Sequence, residues 1–222
     1  MNASLSKERL DARTNTFLLL RRLFEKELDD QTAYSIAQTG AANVLLDCST
    51  QPATLEAVRF FSTTPSDKTL DALRTEYMHM FVGPGHLAAP FWESVYLDDR
   101  ELLFLENTSD VRRAYEREGL KVAAQAGREA EDALFHECDF IAQLSSRTSE
   151  AICQNNFEEA VRLLGVQLDF EKKHMADWLP LFANRAAEYA SGIFYPNLCA
   201  SVNEIVADDI VYLERALDEA QQ

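Results

Sequence analysis

The sequence predicts an all-α protein, with a single bundle-like domain of roughly eight to eleven helices. Only 7 glycines and 6 prolines occur in 222 residues, which is few for a chain of many short strands joined by tight turns. Hydrophobic residues make up 47% of the chain, enough for a continuous core. Several stretches place apolar residues three, four and seven positions apart, and none alternates over a long run as a strand would.

The N-terminal part of the chain is predicted to contain three helices. The first runs from about Ser4 to Tyr34, because apolar residues recur along one helical face. These residues are Leu10, Phe17, Leu20, Phe24 and Leu28. The second helix covers residues 53–61 and the third covers 69–80, with a Pro-containing breaker between them. The run Gly83-Pro84-Gly85 then ends the third helix, since glycine favours a left-handed cap and proline cannot donate a hydrogen bond.

Further helices are predicted downstream from apolar spacing and from residues that suit helix ends. They begin near Ser109 or Asp110, Leu134, Asn156, Asp177 and Pro196. The small and polar stretch 119–130 lies between them and contains Gly119 and Gly127. It is the candidate hinge between an N-terminal half, 1–118, and a C-terminal half, 131–222. An arrangement of two helical subdomains joined by this hinge stays open. Such a hinge is compatible with a monomer or with a domain-swapped dimer.

Charge and apolar run length limit the classes of partner. The formal net charge of −16 repels nucleic acid and anionic lipid surfaces and attracts a cationic partner. The longest apolar runs are far shorter than the roughly 20 residues of a membrane span, and no secretory signal is visible, so we expect a cytoplasmic protein without stable membrane insertion. Four cysteines lack CxxC spacing and are expected to be reduced thiols.

The sharpest enzymatic alternative is a metal site. The pairs Glu76/His79 and Glu171/His174 both have Glu-x-x-His spacing, and two such motifs on facing helices are half of a di-iron carboxylate site. Both pairs are predicted near helix ends, whereas bundle metal sites project from mid-helix. Motifs for nucleophilic catalysis or phosphate binding are missing. We therefore expect a protein that is not an enzyme and uses no cofactor, and a generic protein-interaction module stays open as a further alternative.

The most informative stretch for function runs from Phe81 to Asp98. It is predicted to be non-helical, and it carries two prolines, two glycines and four aromatic residues. Its aromatic content argues against disorder, and long loops without regular structure are often functional. Glu93 and Asp98 lie beside the aromatic residues, which suggests an apolar and acidic rim for a ligand that is itself apolar and basic. Alternatively, the aromatic side chains simply fasten the loop to the helical core.

Two motifs in this part of the chain resemble the signature of the TorD/DmsD/NarJ family of redox-enzyme maturation chaperones. The first is Glu76-Tyr77-x3-Phe81-x-Gly83-Pro84-Gly85. The second is Ala89-Pro90-x-Trp92-Glu93-Ser94-Val95-Tyr96-Leu97-Asp98. The resemblance continues through Val111-Arg112-Arg113-x-Tyr115 and spans most of the chain.

The resemblance implies an all-helical cytoplasmic chaperone that binds a twin-arginine signal peptide and the apo form of a molybdoenzyme catalytic subunit. The implied peptide-binding residues are Tyr77, Phe81, Pro84, Pro90, Phe91, Trp92, Glu93, Ser94, Tyr96, Asp98, Asp132 and Glu137. One departure concerns the start of the central helix, where family members commonly carry Pro-x-Asp-His. Here Asp132 matches, but Ala130 and Ala133 replace the proline and the histidine. The loop is therefore expected to carry more of the recognition in this chain.

Overall fold

A computed structural model describes residues 6–84, 87–97, 106–122 and 130–220. This part of the chain is all-α, as the sequence predicts, and its one bridge of β type pairs Trp92 with Ala133. The helices are α1 (Lys7–Glu25), α2 (Asp30–Thr39), α3 (Pro52–Phe60), α4 (Asp67–Tyr77), α5 (Glu93–Leu97), α6 (Glu106–Arg117), α7 (Leu134–Cys153), α8 (Phe157–His174), α9 (Leu179–Tyr189) and α10 (Phe194–Ala220). None of these helices is both long and apolar enough to cross a bilayer.

The predicted first helix is wrong in its length, because the chain breaks between α1 and α2. Lys26 takes an extended conformation, and the side chain of Asp29 accepts a hydrogen bond from the backbone N–H of Thr32 to start α2. The apolar spacing continues through Leu28, which is buried, so periodicity alone does not reveal the break. A 3-10 helix over Ala41–Asp47 follows α2 and was not predicted.

The stretch from Phe81 to Asp98 is less irregular than predicted. The end of α4 continues as a π-helical segment, Met78–Val82, and α5 forms within the stretch at Glu93–Leu97. Asp98 itself lies outside the described residues. Helix α6 begins before the expected caps at Ser109 and Asp110, and Gly119 follows it with the left-handed conformation (φ 70°) that glycine tolerates best.

One large hydrophobic core contains buried residues from both sides of the candidate hinge, from Phe17 to Val206. Helices α1 and α7 have the most extensive contact, and α10 packs against α3, α8 and α9. A smaller apolar cluster around Leu10, Leu164 and Leu213 lies beside the main core. Most of the hinge, residues 123–129, lies outside the described part of the chain, so its role as a hinge stays a prediction.

A buried polar cluster ties four helices together. Arg13 on α1 donates from Nε (2.7 Å) and Nη2 (2.5 Å) to the carboxylate of Asp209 on α10. Its Nη1 donates to Gln167 on α8 (2.9 Å) and to Ser145 on α7 (3.3 Å). All four side chains are fully buried. Because each partner lies on a different helix, the Arg13 cluster fixes how α1, α7, α8 and α10 are aligned.

Candidate functional site

The signature segment, residues 76–97, is held by hydrogen bonds to the C-terminal part of the chain at two places. At the first end, Oε1 of the buried Glu76 accepts hydrogen bonds from the backbone N–H groups of Ser191 (2.9 Å) and Gly192 (2.5 Å). A Cβ atom on Gly192 would lie 2.7 Å from Oε2 of Glu76, so a side chain there would displace the carboxylate from these N–H groups. Further along, Nε of Arg185 on α9 donates to the carbonyl of Ala88 (3.0 Å).

Most of the predicted aromatic site residues lie inside the core and not on a surface rim. Tyr77, Phe81, Phe91 and Trp92 are all buried, and Trp92 is 8% exposed. Phe81 makes ring contacts with both Tyr77 (5.2 Å between centroids) and Phe91 (5.6 Å). The hydroxyl of Tyr77 donates to the carbonyl of Phe24 (2.9 Å). These buried rings therefore anchor the segment to the hydrophobic core.

The remaining predicted residues of the segment differ in exposure. Pro84 is exposed, Pro90 is buried and Tyr96 is half-buried. The Tyr96 ring stacks on the indole of Trp178 at 5.6 Å between centroids. Ser94 is fully buried. Of the predicted residues in the described part of this segment, Pro84 and Tyr96 therefore have solvent access, while the others are buried.

Asp132, which immediately precedes α7, caps the first turn of α5. Its Oδ2 accepts a hydrogen bond from the backbone N–H of Ser94 (2.9 Å), and its Oδ1 accepts one from the hydroxyl of Thr108 (3.0 Å). The backbone carbonyl of Asp132 also accepts from the N–H of Glu93 (3.1 Å). A carboxylate at this position satisfies N–H groups that have no partner within the helix. The cap of α5 therefore comes from Asp132 and not from Glu93.

Glu93 instead pairs with His174, the last residue of α8. The Nδ1 atom of His174 lies 3.2 Å from Oε2 of Glu93, and both side chains are buried. Burial raises the pKa of Glu93, the hydrogen bond with His174 opposes that shift, and the charge of Asp132 adds to it. The indole N–H of Trp178 donates to the carbonyl of His174 (2.6 Å), which holds the end of α8 against the site.

Glu137 on α7 completes a cluster of three buried carboxyl groups, with Glu93 and Asp132. It is fully buried, and within the described part of the chain neither of its oxygens has a hydrogen-bond partner of normal geometry. Its interaction with the indole N–H of Trp178 is weak, since that group already donates to a carbonyl. Burial, reinforced by the charges of Glu93 and Asp132, raises the pKa of Glu137 well above its ordinary value. We call Glu93, Asp132 and Glu137 the carboxyl cluster.

A cleft of about 190 Å³ between α6 and α8 approaches this cluster from the surface. Its apolar wall includes Ala114, Val166 and Phe170, and it also reaches His174. The charged side chains that line it are Asp110, Arg113, Arg117, Glu118, Asp169 and Lys173. Since three of these are basic and three are acidic, the lining has no net charge. His174 connects the cleft to the carboxyl cluster, because it lines the cleft and also contacts Glu93.

Two residues at this site were not predicted as part of it, namely His174 and Arg185. His174 appeared in the sequence only as half of a possible metal motif, and its contact with Glu93 joins residues 81 positions apart. Ala133 is buried, and its backbone forms the bridge with Trp92. The imidazole that reaches the carboxyl cluster is that of His174, on α8.

The metal alternative is wrong for the described residues. No group of three or more His, Cys, Asp or Glu side chains there is placed to hold a metal ion. Glu76 binds backbone N–H groups, and the neighbouring His79 is exposed. Glu171 lies 3.7 Å from Arg13, and His174 faces Glu93. The Glu and His side chains of each pair therefore have different surroundings and do not converge on one site.

Comparison with known proteins identifies the family. Residues 46–184 match the family model for the nitrate reductase delta subunit. The TorD chaperone protein of Shewanella piezotolerans is 26% identical over an alignment of 225 residues, covering 96% of this chain and 97% of that protein. That of Shewanella pealeana is 26% identical over 219 residues, covering 93% and 91%. That of Vibrio cholerae is 32% identical over 126 residues, covering 55% and 54%. The chain therefore belongs to the nitrate reductase delta subunit family, with the TorD chaperones, and its role is that of a chaperone in redox-enzyme maturation.

Proposed function

We propose that this chaperone acts in the cytoplasm, where it binds the twin-arginine signal peptide of a molybdenum-cofactor oxidoreductase. It holds the apo form of the catalytic subunit until the cofactor is loaded and before export. The observation that carries the proposal is the carboxyl cluster behind the α6–α8 cleft. An arginine side chain of the signal peptide enters the cleft, packs on Phe170 and directs its guanidinium group past His174 toward Glu93 and Glu137.

The chemistry of the cluster favours a guanidinium group as its ligand. Of the three buried carboxyl groups, Glu93 pairs with the imidazole of His174 and Asp132 accepts from Ser94 and Thr108. The oxygens of Glu137 lack a strong donor among the described residues. A guanidinium group has five N–H donors, stays ionised and pairs with two carboxylate oxygens at once. It also stacks on aromatic rings such as Phe170. A buried carboxyl group that gains such a partner recovers the hydrogen bonds it lost on leaving water.

The predicted residues of the signature segment take two roles in this proposal. Glu93, Asp132 and Glu137 provide the carboxyl groups that pair with the guanidinium group. Asp98, which lies outside the described residues, stays a predicted contributor. The buried members of the segment pack in the core and support the site. They are Tyr77, Phe81, Pro90, Phe91, Trp92 and Ser94. Tyr96 and Pro84 are the members with solvent access, and they contact the peptide directly. Arginine contacts set register and approach rate, while burial of apolar side chains, about 1.5–3 kcal/mol each, supplies most of the affinity.

The test uses an isosteric change in the cluster and a matched change elsewhere. We expect Glu137→Gln to weaken binding of a synthetic peptide with two adjacent arginines and a leucine-rich segment by about tenfold, since a charge-assisted hydrogen bond contributes about 1.5–3 kcal/mol. Glu171→Gln is the control, because Glu171 is equally buried but lies in the Arg13 cluster. Fluorescence anisotropy measures both. Unchanged binding by a folded Glu137→Gln protein contradicts the proposal.

A further inference from the structure

Large exposed apolar side chains are concentrated beside the signature segment. Six of the ten most exposed ones in the described part of the chain lie in two short stretches, 78–97 and 179–193. They are Met78, Val82, Leu97, Leu181, Tyr189 and Ile193, and we call them the α9 patch. The other four lie singly on α1, α3, α8 and α10. Scattered apolar side chains are normal on a protein surface, but a concentration of them marks an interaction site.

The elements that carry the α9 patch are in direct contact. Arg185 on α9 donates to Ala88 and lies over the ring of Tyr96 (5.8 Å), which places α9 beside both the loop and α5. Glu76 binds the backbone of Ser191 and Gly192, which places the end of α4 beside the turn that carries Ile193. The exposed side chains of these elements therefore border a common surface.

The most exposed members of the patch are large side chains that make little contact with the rest of the described chain. Ile193 is 77% exposed and Tyr189 is 53% exposed. Met78 and Val82 lie on the π-helical segment. A π-helical turn costs free energy relative to an α-helix and is found frequently at functional sites. This second feature coincides with the patch and favours a role in binding.

We propose that the α9 patch binds the apolar helical segment of the signal peptide whose arginines enter the α6–α8 cleft. This inference rests on the proposed function and assigns a new surface to the part of the peptide that follows the arginines. Only the turn Met175–Trp178 separates the end of α8, at the cleft, from the start of α9. A peptide that is basic first and apolar second crosses this turn and then follows α9.

Length and charge fit that path. Leu181 and Tyr189 are eight residues apart on α9, so about 12 Å of helix separates them, which is the length of about two turns of a bound helix. Asp177 is exposed in the turn between the cleft and α9, where negative charge suits the basic leading end of the peptide. The apolar side chains of the peptide then lie along α9, in the manner of a helix bound in a groove.

The test compares two double variants whose changed residues are all exposed. The patch variant is Tyr189→Ser with Ile193→Ser, and the control is Leu55→Ser with Val211→Ser, whose side chains are 48% and 53% exposed on α3 and α10. The probe is a synthetic peptide with two adjacent arginines followed by an apolar stretch long enough to form about three helical turns. We expect the patch variant to bind it about tenfold or more weakly, as loss of two apolar contacts implies, and the control to bind it as the wild type does.

A second peptide, with its leucines replaced by serine, separates the possible outcomes. Wild type and patch variant should bind this peptide equally weakly, because the patch has lost its ligand. If the patch and control variants bind the leucine peptide equally well, the α9 patch does not bind the apolar segment, and this inference is overturned. That result does not affect the proposal that the carboxyl cluster binds arginine. Failure of the wild type to bind either peptide overturns the proposed function as well. If sedimentation instead shows that the patch variant loses a dimer while its peptide binding is unchanged, the patch serves self-association and the inference is overturned.

Discussion

Glu137 is held in the core by α7, away from water and without a strong hydrogen-bond donor among the described residues. A carboxyl group in such a place favours its neutral form. The groups that face it, Glu93 and Asp132, push its pKa in the same direction as burial does. The folded protein therefore holds a proton on this side chain to higher pH than the unfolded chain does.

This proton makes stability depend on pH in a direction that can be worked out. Above the ordinary pKa of a glutamate, near 4.5, the unfolded chain binds fewer protons than the folded one, so the free energy of unfolding falls as pH rises, by up to about 1.4 kcal/mol per pH unit. We expect Glu137→Gln to remove this contribution. Urea unfolding from pH 5 to pH 8 measures the difference between the two proteins.

The comparison with wild type cancels the other groups that titrate in this range, such as His136, whose pKa burial lowers. The expected sign is that Glu137→Gln gains stability relative to wild type as pH rises. If the stability difference between the two proteins stays constant from pH 5 to pH 8, Glu137 is not a neutral acid in the folded state.

At the scale of elements, the Arg13 cluster is the contact that aligns the long helices. Arg13 is fully buried and paired with Asp209, while Glu171 lies 3.7 Å away with a pKa that burial raises well above its ordinary value. Asp209 is the closer carboxyl partner of Arg13, at 2.5 Å, and the one to which it donates hydrogen bonds. Removing one partner of a buried pair leaves an uncompensated charge, which costs about 3–5 kcal/mol.

We expect Asp209→Ala to lower the free energy of unfolding by about 3–5 kcal/mol, measured by urea denaturation. The double variant Arg13→Met with Asp209→Leu should recover much of this loss, because it removes both charges and keeps apolar volume. Arg59→Ala is a surface control, since the exposed pair of Arg59 with Glu56 contributes about 0–1 kcal/mol. A double variant as unstable as Asp209→Ala would mean that hydrogen bonds of Arg13 to Gln167 and Ser145, and not its charge, determine the effect.

Local sequence patterns predict helix ends correctly where the residue suited to cap or start a helix is also at that position in the folded chain. Asn156 caps α8 by accepting from the N–H of Glu159 (3.3 Å), which agrees with the predicted start near Asn156. Pro180 lies in the first turn of α9, where its missing N–H has no helical partner to lose. The expected cap at Asp177 is wrong, because Trp178 occupies the N-cap position without a side-chain hydrogen bond. The break between α1 and α2 was missed because Leu28 keeps the helical spacing.

The candidate site could be predicted only in part, for a physical reason. Motif resemblance picked out Glu93, Asp132 and Glu137, and the structure brings them together. Their burial depends on contacts between distant parts of the chain, such as His174 with Glu93, which no local spacing encodes. The exposed members of the α9 patch are single apolar residues in sequence, and only the arrangement of α4, α5 and α9 places them on one surface.

At the scale of the whole molecule, a net charge of −16 attracts a basic peptide from a distance, and salt weakens that attraction. In the proposed function, the carboxyl cluster acts at short range, where a guanidinium group of the peptide pairs with Glu137 and displaces its proton. Many acidic proteins would attract a basic peptide from a distance, whereas this exchange takes place at one carboxyl group. The proposal therefore predicts that peptide binding releases a proton at Glu137.

Carbon-13 NMR of the glutamate carboxyl groups measures this coupling directly, with Glu137 assigned by the signal that Glu137→Gln removes. At pH 7 we expect the free protein to show Glu137 as a neutral acid, and saturation with a twin-arginine peptide to shift its signal to that of an ionised carboxylate. A peptide with both arginines replaced by alanine should leave the signal unchanged. A signal that stays at the neutral position while the twin-arginine peptide is bound would contradict the assignment of the carboxyl cluster as the arginine site.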